Sequence, residues 1–494
     1  MHINCLIYEK NIPFIQIKQV MNRAILYALI FGSTFFLVLA CNSESAKEYD
    51  AMENPDNKSI NTLTKDQLDW VKTTSAYQQL ESQISTNEPF KTSLTQSLNA
   101  AKLKASNELA PDLYQAIDRV FGGDGQGWPT NPDEYLAYVS KFLVLIPNEI
   151  IDEKYPTAWT SDQSQNGYNQ KVYDLLCQFY FLVDQPVLED NKTMQSFKSG
   201  SFLFAEWLRA FAIDWGAFLD TPASLTPETL ASFQANSMYN FELYSEQSSE
   251  WKTFNNFFYR QFNGADEKGH SPLRPIAEPN NNQVITAPAD CTFKEMFHID
   301  SKGEVIGVHG QADELRLKRT HSVNSVAQLL DDEELAKAFY GGTFVHYFLS
   351  PFDYHRFHTP VSGKVLESKV VYDKVFLDVE FNGDGEFHAP DNASDGYEFQ
   401  QTRGVFVVDA GDPVGLIAVI PVGMAQVSGV DMYTSLKGQQ VAKGDEFGKF
   451  RFGGSDNILV FQKNPNLFLW KKDPVHNPIH FQFGQVCAYW NGSE

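Results

Sequence analysis

Cysteine is scarce and scattered in this sequence. Its 494 residues include five cysteines, Cys5, Cys41, Cys177, Cys291 and Cys487, and none of them forms a CxxC pair. A zinc ribbon or a thioredoxin-like redox site is therefore not expected, because both need closely spaced cysteines. A disulfide scaffold is not expected either, since such scaffolds are dense in cysteine.

Positive charge is also in short supply. The chain has 39 Lys and Arg against 62 Asp and Glu, for a net charge of −23. Nucleic acid is not an expected partner, because binding its phosphates needs a basic surface. The same deficit argues against a polybasic attachment to anionic lipid.

The hydrophobic fraction of 43% is enough for large packed cores, and the length suggests two domains plus a leader.

The N-terminal apolar run, Ala24 to Ala40, falls short of the roughly 20 residues that span a bilayer. Arg23 precedes it and Cys41 follows it, as in a signal peptide that ends in a bacterial lipobox. Residues 1–41 are thus predicted to be a leader with lipidation at Cys41, and residues 42–60 a polar tether. This predicts a bacterial membrane-anchored lipoprotein on the periplasmic or outer face. An ordinary anchor helix is the alternative, and Met21 is a candidate for the true start.

The sequence pattern of the remaining chain changes from helical to β-rich at a loop that is rich in Gly, Pro and Asn. Residues 61–263 have helical spacing of apolar residues, for example from Asp112 to Phe121. Residues 264–494 contain short β-rich runs separated by turn residues, with a helical insert from Val323 to Tyr340. The fold class is therefore predicted to be α+β, with a mainly helical N-terminal domain and a β-rich catalytic domain. The predicted strands include residues 284–286, 343–348, 404–408, 416–420 and 458–461.

Three places in the β-rich part carry residues suited to chemistry. Asp290 follows a predicted strand, His355 and His358 share a loop, and Ser455 follows two glycines. Serine is a weak nucleophile that needs a base such as histidine, which in turn needs an orienting group such as aspartate. From residue types alone this signal is weak, because each feature is also common in turns and packing. No metal is predicted, since neither an HExxH motif nor a further Cys or His partner lies near the histidines.

Four ordered motifs give these residues a specific context. Residues 347–363 read YFLSPFDYHRFHTPVSG, and residues 443–455 read KGDEFGKFRFGGS. Residues 254–260 read FNNFFYR, with Arg-Pro at 274–275, and residues 287–290 read APAD. In this order the motifs resemble those of the phosphatidylserine decarboxylase family, from about Thr253 to the C-terminus. Three positions depart from the usual pattern: Cys291, Phe352 and Asp456.

The resemblance implies a covalent pyruvoyl cofactor made from the chain itself. Ser455 would be its precursor, and self-cleavage would fall between Gly454 and Ser455. His358 would take the proton of Ser455, Asp290 would orient that histidine, and His355 would supply a proton in the decarboxylation. These roles follow from the family motifs and not from spacing.

The substrate is left open between two classes. One is phosphatidylserine, converted to phosphatidylethanolamine and CO2, with the membrane surface as a partner. The other is a free amino acid such as tryptophan, because the long helical part is similar to a branch of relatives that includes such enzymes. A third possibility is a non-catalytic binding lipoprotein that kept the fold. A homo-oligomer is a further possibility.

Overall fold

The structure is a computed structural model, and its description starts after the predicted leader. It describes residues 63–159, 170–308, 324–390, 394–425, 429–471 and 478–490. The leader, Cys41 and the tether lie outside the described residues, so their roles stay predictions. In the part of the chain that is described, no helix is long and apolar enough to cross a membrane.

The N-terminal part is built from helices whose apolar stripes face one another, as predicted. In α4, Pro111 sits in the first turn, and Leu113, Ala116 and Ile117 are buried at helical spacing. The helices of the described residues are α1 (Lys65–Thr73), α2 (Ser75–Thr86), α3 (Glu88–Glu108), α4 (Pro111–Val120), α5 (Pro132–Phe142), α6 (Lys171–Phe181), α7 (Phe204–Leu219), α8 (Pro227–Gln234), α9 (Phe254–Phe258), α10 (Val326–Leu330) and α11 (Glu333–Ala336).

Helix α7 is mostly buried and rich in aromatic residues. Its Trp207 and Trp215 are buried, and each indole N–H donates to a backbone carbonyl, of Ala76 at 2.8 Å and of Leu145 at 3.0 Å. Both indole rings are therefore buried with their N–H group hydrogen-bonded, as buried polar groups in a stable core usually are. The tryptophans of α7 therefore serve as packing core.

The C-terminal part is a set of antiparallel sheets, which confirms the α+β class. Its largest sheet has nine strands among the described residues, in the order β14-β8-β11-β12-β16-β6-β4-β18, with β5 paired to β4. The strands are β1 (Lys198–Ser199), β2 (Phe202–Leu203), β3 (Val284–Thr286), β4 (Cys291–Ile299), β5 (Val305–Ile306), β6 (Thr343–Leu349), β7 (Arg356–His358), β8 (Gly363–Val371), β9 (Glu380–Phe381), β10 (Phe387–His388), β11 (Arg403–Asp409), β12 (Leu416–Met424), β13 (Val430–Met432), β14 (Gln440–Val441), β15 (Glu446–Phe450), β16 (Gly454–Phe461), β17 (Leu467–Leu469), β18 (His480–Phe481) and β19 (Val486–Trp490).

The helical and β-rich parts share one hydrophobic core. Phe452, just before β16, packs edge-on against Trp215 and Phe254, with ring centroids 5.5 and 5.0 Å away. The Arg451 guanidinium also forms an ion pair with Asp220 at the end of α7. The boundary between 263 and 264 remains a prediction, and the side chains on its two sides pack against each other.

Lys443 hydrogen-bonds to the segment that leads into β3 and so holds it in place. Its Nζ donates to the carbonyls of Glu278, Asn281 and Val284 at 2.7, 2.6 and 2.6 Å. Burial lowers the pKa of Lys443 to about 8. We expect Lys443→Met to lower the free energy of unfolding by about 3 kcal/mol, because these carbonyls would lose their donor.

Chemical denaturation of the two proteins measures this difference. The matched control is Lys437→Met, which removes a lysine that is largely exposed and paired to Glu367 on the surface. Exposed pairs contribute about 0–1 kcal/mol, so the control should unfold close to the wild type. Equal losses in both variants would contradict the role given to Lys443.

Candidate active site

Ser455 lies at the start of an interior strand of the nine-stranded sheet. It pairs with Gly423 of β12 on one side and with Leu349 of β6 on the other. Its side chain is fully buried, and its hydroxyl donates to the Gly453 carbonyl at 3.3 Å. The serine is thus held by two neighbouring strands, while the residues just before it carry no side chain.

His358 is buried in an orientation that fixes its tautomer. Its Nδ1 lies 2.8 Å from the Gly444 carbonyl, which can only accept, so Nδ1 carries the hydrogen. Nε2 then accepts from the Tyr354 hydroxyl at 3.2 Å. Burial lowers the pKa of His358 to about 4, which leaves the ring neutral at neutral pH. A neutral imidazole with a lone pair on Nε2 is the form that a general base needs.

Asp290 lies between β3 and β4, close to His358 but not bonded to it. Its Oδ1 accepts from the Phe483 backbone N–H at 2.7 Å, and its Oδ2 accepts from Arg274 at 3.3 Å. The Phe483 ring stacks on the His358 ring, with centroids 3.7 Å apart. Burial raises the pKa of Asp290, although the Arg274 charge opposes this. Among the described residues no hydrogen bond joins Asp290 to His358, so the orienting contact of the imidazole comes from Gly444.

His355 lies on a different side of the site. Its ring packs on Phe258 at 3.9 Å between centroids, and Phe258 in turn contacts Phe452 at 5.2 Å. Neither ring nitrogen makes a hydrogen bond of good geometry among the described residues, although the Asp353 backbone lies near enough to interact with the ring. Burial, helped by the Arg260 charge, lowers the pKa of His355 well below its usual range. An unsatisfied buried imidazole is costly, which is a reason to expect that it serves a ligand.

A cavity of about 240 Å³ opens beside the residues that precede Ser455. Gly453 and Phe452 form part of its wall, next to Leu349, the strand partner of Ser455. Helical residues close the opposite side. The lining consists of Glu149, Val172, Tyr173, Leu176, Cys177, Phe233, Tyr239, Phe254, Phe257, Phe258, Phe348, Leu349, Pro351, Leu377, His388, Ala389, Met424, Ala425, Phe452 and Gly453.

Asp456 and Cys291, two of the positions that depart from the family pattern, are both buried. Successive strand residues face opposite ways, so Asp456 points away from the Ser455 side of the sheet. Its Oδ2 accepts from the Tyr397 hydroxyl at 2.8 Å and lies 3.4 Å from His346 Nε2. Cys291 is a buried free thiol at the start of β4. In the part of the chain described, neither side chain hydrogen-bonds to Ser455, His355 or His358.

Comparison with known proteins places this site in a family. The family described as Phosphatidylserine decarboxylase matches residues 254–488. A phosphatidylserine decarboxylase proenzyme of Fusobacterium nucleatum is 28% identical over 273 residues, which cover 54% of this chain and 78% of the relative. The decarboxylase iboD of Amanita muscaria is 28% identical over 279 residues, covering 50% of this chain and 73% of the relative.

The matched half holds all four predicted site residues and defines an enzyme of the carboxy-lyase class. Within that class, residues 254–488 belong to the phosphatidylserine decarboxylase family, and this match covers just under half of the chain. The helical part before residue 254 lies outside the matched region.

Sequence reasoning missed three contributors to the site. The Gly444 carbonyl and the Tyr354 hydroxyl hold His358, and Glu149 lines the cavity from the helical part. Gly444 has φ +88°, and a Cβ there would lie 2.7 Å from Ile276, so glycine is required at this position. The helical part, in which no chemical group was predicted, thus supplies a buried carboxyl to the cavity.

Proposed function

We propose that this chain is a self-processing, pyruvoyl-dependent decarboxylase whose cofactor forms at Ser455. The observation that carries the proposal is that Ser455 directly follows Gly453 and Gly454, and that Gly453 and Phe452 line a cavity. The family match supports the decarboxylase class, and the family uses a pyruvoyl group. The cleavage site and the roles of the individual residues are parts of the proposal.

The surroundings of Ser455 fit such a group. Gly453 lines the cavity without a side chain, and neither ring nitrogen of His355 makes a hydrogen bond of good geometry among the described residues. A pyruvoyl group at residue 455 would supply an electron sink for loss of CO2 from an amine substrate. The chain's own residues must bind that substrate, exclude water and manage the protons.

In the proposed cleavage, His358 Nε2 accepts the Ser455 hydroxyl proton. The Ser455 oxygen attacks the Gly454 carbonyl carbon, the peptide C–N bond breaks, and an ester joins the two parts of the chain. Loss of the Ser455 α-proton then expels Gly454 as a carboxylate and leaves a dehydroalanine. One water enters and one ammonia leaves to give the terminal keto group. The neutral His358 ring suits the first step, because its Nε2 is unprotonated at neutral pH, and its lone pair would exchange the Tyr354 hydroxyl for that of Ser455.

In the proposed turnover, His355 holds the proton that replaces CO2 on the substrate's α-carbon. The ring is neutral in the uncleaved chain, since burial disfavours its charged form. A substrate carboxylate close to it would favour the protonated form and so raise its pKa. The apolar walls formed by Phe258 and Phe452 would keep water away from that proton.

Two substrate classes remain candidates. Phosphatidylserine, with phosphatidylethanolamine as the product, is supported by the similarity to phosphatidylserine decarboxylase proenzymes. A free amino acid with an aromatic side chain, such as tryptophan, is supported by the cavity. The cavity volume of about 240 Å³ is below the range of roughly 300 to 1,000 Å³ that is typical of small-molecule sites. Its described lining is rich in aromatic residues and contains no Lys or Arg to neutralise a phosphodiester. The geometry therefore favours the amino acid.

A direct comparison of the two substrates tests this choice. We expect purified, cleaved protein to release CO2 from L-tryptophan faster than from phosphatidylserine in vesicles, with tryptamine as the product. CO2 release and product mass measure both reactions. Turnover of phosphatidylserine alone would assign the lipid instead, and an uncleaved chain that releases CO2 from neither would favour a binding protein.

A further inference from the structure

Asn457 is a buried amide that none of the proposed cleavage and turnover steps uses. It lies in β16, two residues after Ser455, and its side chain is fully buried. Neither its Oδ1 nor its Nδ2 has a hydrogen-bond partner among the described residues. Buried polar groups of native proteins are nearly always hydrogen-bonded, because an unpaired one costs free energy. An unpaired amide at this position therefore points to a small polar molecule that binds there.

The side chains of Asn457 and Ser455 are on the same face of the sheet. Residues two apart in a strand point the same way, and their Cα atoms are about 7 Å apart. The pairing with β6 agrees, since Ser455 lies opposite Leu349 and Asn457 lies opposite Tyr347. A small molecule that is hydrogen-bonded to the Asn457 amide can thus touch residue 455.

The neighbours of Asn457 on this face are mostly hydrocarbon. Directly opposite residues of paired strands share a face, so Tyr347 of β6 and Pro421 of β12 flank the amide. The Tyr347 hydroxyl lies close to the Cys487 thiol, and the proline side chain has no polar atom. Leu459, the next residue of β16 on the same face, is buried as well. The amide is therefore a polar group within an apolar part of the core.

An amide both donates and accepts hydrogen bonds, and so does a water molecule. Buried waters in proteins typically make about three hydrogen bonds to polar groups that are otherwise unpaired. The proposed cleavage needs one water at residue 455 and releases one ammonia there. The Asn457 amide has the chemistry to hold either molecule beside the reacting carbon.

We propose that Asn457 binds the water that converts the dehydroalanine at residue 455 into the keto group. The inference rests on the proposed function. A proton first moves to the CH2 carbon of the dehydroalanine, which gives a methyl group and a C=NH imine. The water, held by a hydrogen bond to Oδ1, attacks the imine carbon through its oxygen. The C–N bond then breaks, both water hydrogens stay on the nitrogen, and ammonia leaves while the keto oxygen remains.

Asn457→Val should separate the break in the chain from the formation of the keto group. The break uses the Ser455 hydroxyl and the His358 base and consumes no water, so it should proceed at close to the wild-type rate. Keto formation should slow by at least about tenfold, because the water would no longer be held in place. Valine suits a strand, and removal of an unpaired amide should leave stability equal or higher.

Timed reduction with borohydride measures the two steps on the full-length chain made by cell-free translation. Borohydride converts an imine at residue 455 into alanine and a keto group into lactate. The two fragments differ in mass, and only the alanine form is open to Edman degradation. We expect the wild type to give mainly the lactate form as soon as fragments appear. Asn457→Val should give the alanine form first and the lactate form later.

Two control variants separate water binding from a general effect on folding. Asn457→Ser keeps a group that donates and accepts, so it should form the keto group faster than Asn457→Val. Gln185→Leu removes another buried amide, which donates to the Phe181 carbonyl at 2.8 Å, and both steps should match the wild type. Thermal unfolding checks the fold of each variant. If Asn457→Val folds poorly, Asn457→Ala also removes the amide and is assessed by the same measurement.

The outcomes distinguish this inference from the proposed function. Keto formation at the wild-type rate in Asn457→Val would overturn the role of Asn457 and leave the self-processing decarboxylase intact. A slower chain break, followed by keto formation without delay, would also overturn it and would assign Asn457 to the attack on Gly454. Wild-type protein that stays uncleaved, or that never forms a keto group, would overturn the proposed function itself.

Discussion

Ser455→Ala is expected to remain a single, uncleaved chain with no decarboxylase activity. Without the hydroxyl, nothing at residue 455 can attack the Gly454 carbonyl, and no keto group can form there. The loss of activity should be complete within detection, because the cofactor itself would be missing and not merely misplaced. Intact-mass spectrometry and CO2 release measure the two effects in the same preparation.

The matched control is Ser368→Ala. Ser368 is another buried serine of the same sheet, in β8, and its hydroxyl donates to the Tyr433 carbonyl at 3.1 Å. This variant should be cleaved and active, so it separates a specific need for the Ser455 hydroxyl from the general effect of deleting a buried hydroxyl. Cleavage of Ser455→Ala between residues 454 and 455 would refute the assignment.

His358→Ala should block cleavage, and His355→Ala should allow cleavage but abolish turnover. His358 presents a lone pair on Nε2 because the Gly444 carbonyl holds the hydrogen on Nδ1. His355 lies near the cavity wall at Phe258, where an incoming substrate would need a proton. Loss of a general base typically costs about 10²–10⁴-fold in rate. Fragment formation over time and CO2 release from the cleaved fraction measure the two roles separately.

The exposed His298 of β4 is the control, and His298→Ala should change neither readout. The opposite pattern, in which His355→Ala stays uncleaved and His358→Ala is cleaved normally, would reverse the two roles. Normal cleavage in both variants would contradict the histidine base altogether.

The pKa of His358 predicts how cleavage depends on pH. Burial lowers it to about 4 from an ordinary value of 6.5, so the folded precursor keeps the neutral base down to about pH 4. The cleavage rate should therefore stay level from pH 7 to 5 and fall near pH 4. In the unfolded chain the same ring takes up a proton near pH 6.5, so this group makes the precursor less stable as the pH falls from 6.5 towards 4.

The secondary structure was largely readable from the sequence where the pattern was strong. The apolar runs of β11, β12 and β16 and the helical spacing of α4 follow directly from burial on one or both faces. Strand β4 was not predicted, because its sequence CTFKEMFHI mixes exposed polar residues with buried ones along an irregular register. Pairing order could not be read from local patterns, since it depends on contacts between distant segments.

The site, too, was predictable where a sequence motif marked it and not where it depends on contacts between distant segments. Motif resemblance singled out Ser455, His355, His358 and Asp290 as predicted site residues, although their residue types alone gave only a weak signal. The Gly444 contact could not be predicted, because a backbone carbonyl has no side-chain signature. Glu149 could not be predicted either: a single glutamate in a helical region is ordinarily a surface residue, and only the fold brings it to a cavity that borders Gly453.

The position of β16 determines how the cleaved protein would unfold and refold. The strand begins at Gly454 and lies between β12 and β6, so the cut would release an end at the first residues of an interior strand. The cleaved protein would be a heterodimer whose smaller chain completes the sheet of the larger one. Unfolding would then separate two molecules, so apparent stability should rise with protein concentration, as for any obligate dimer. Refolding from denaturant would require two chains to meet, and a larger chain folding alone would expose the unpaired edges of β12 and β6 to aggregation. Cleavage would thus be a one-way step, because the single chain could fold by itself and the cleaved pair would refold only with difficulty.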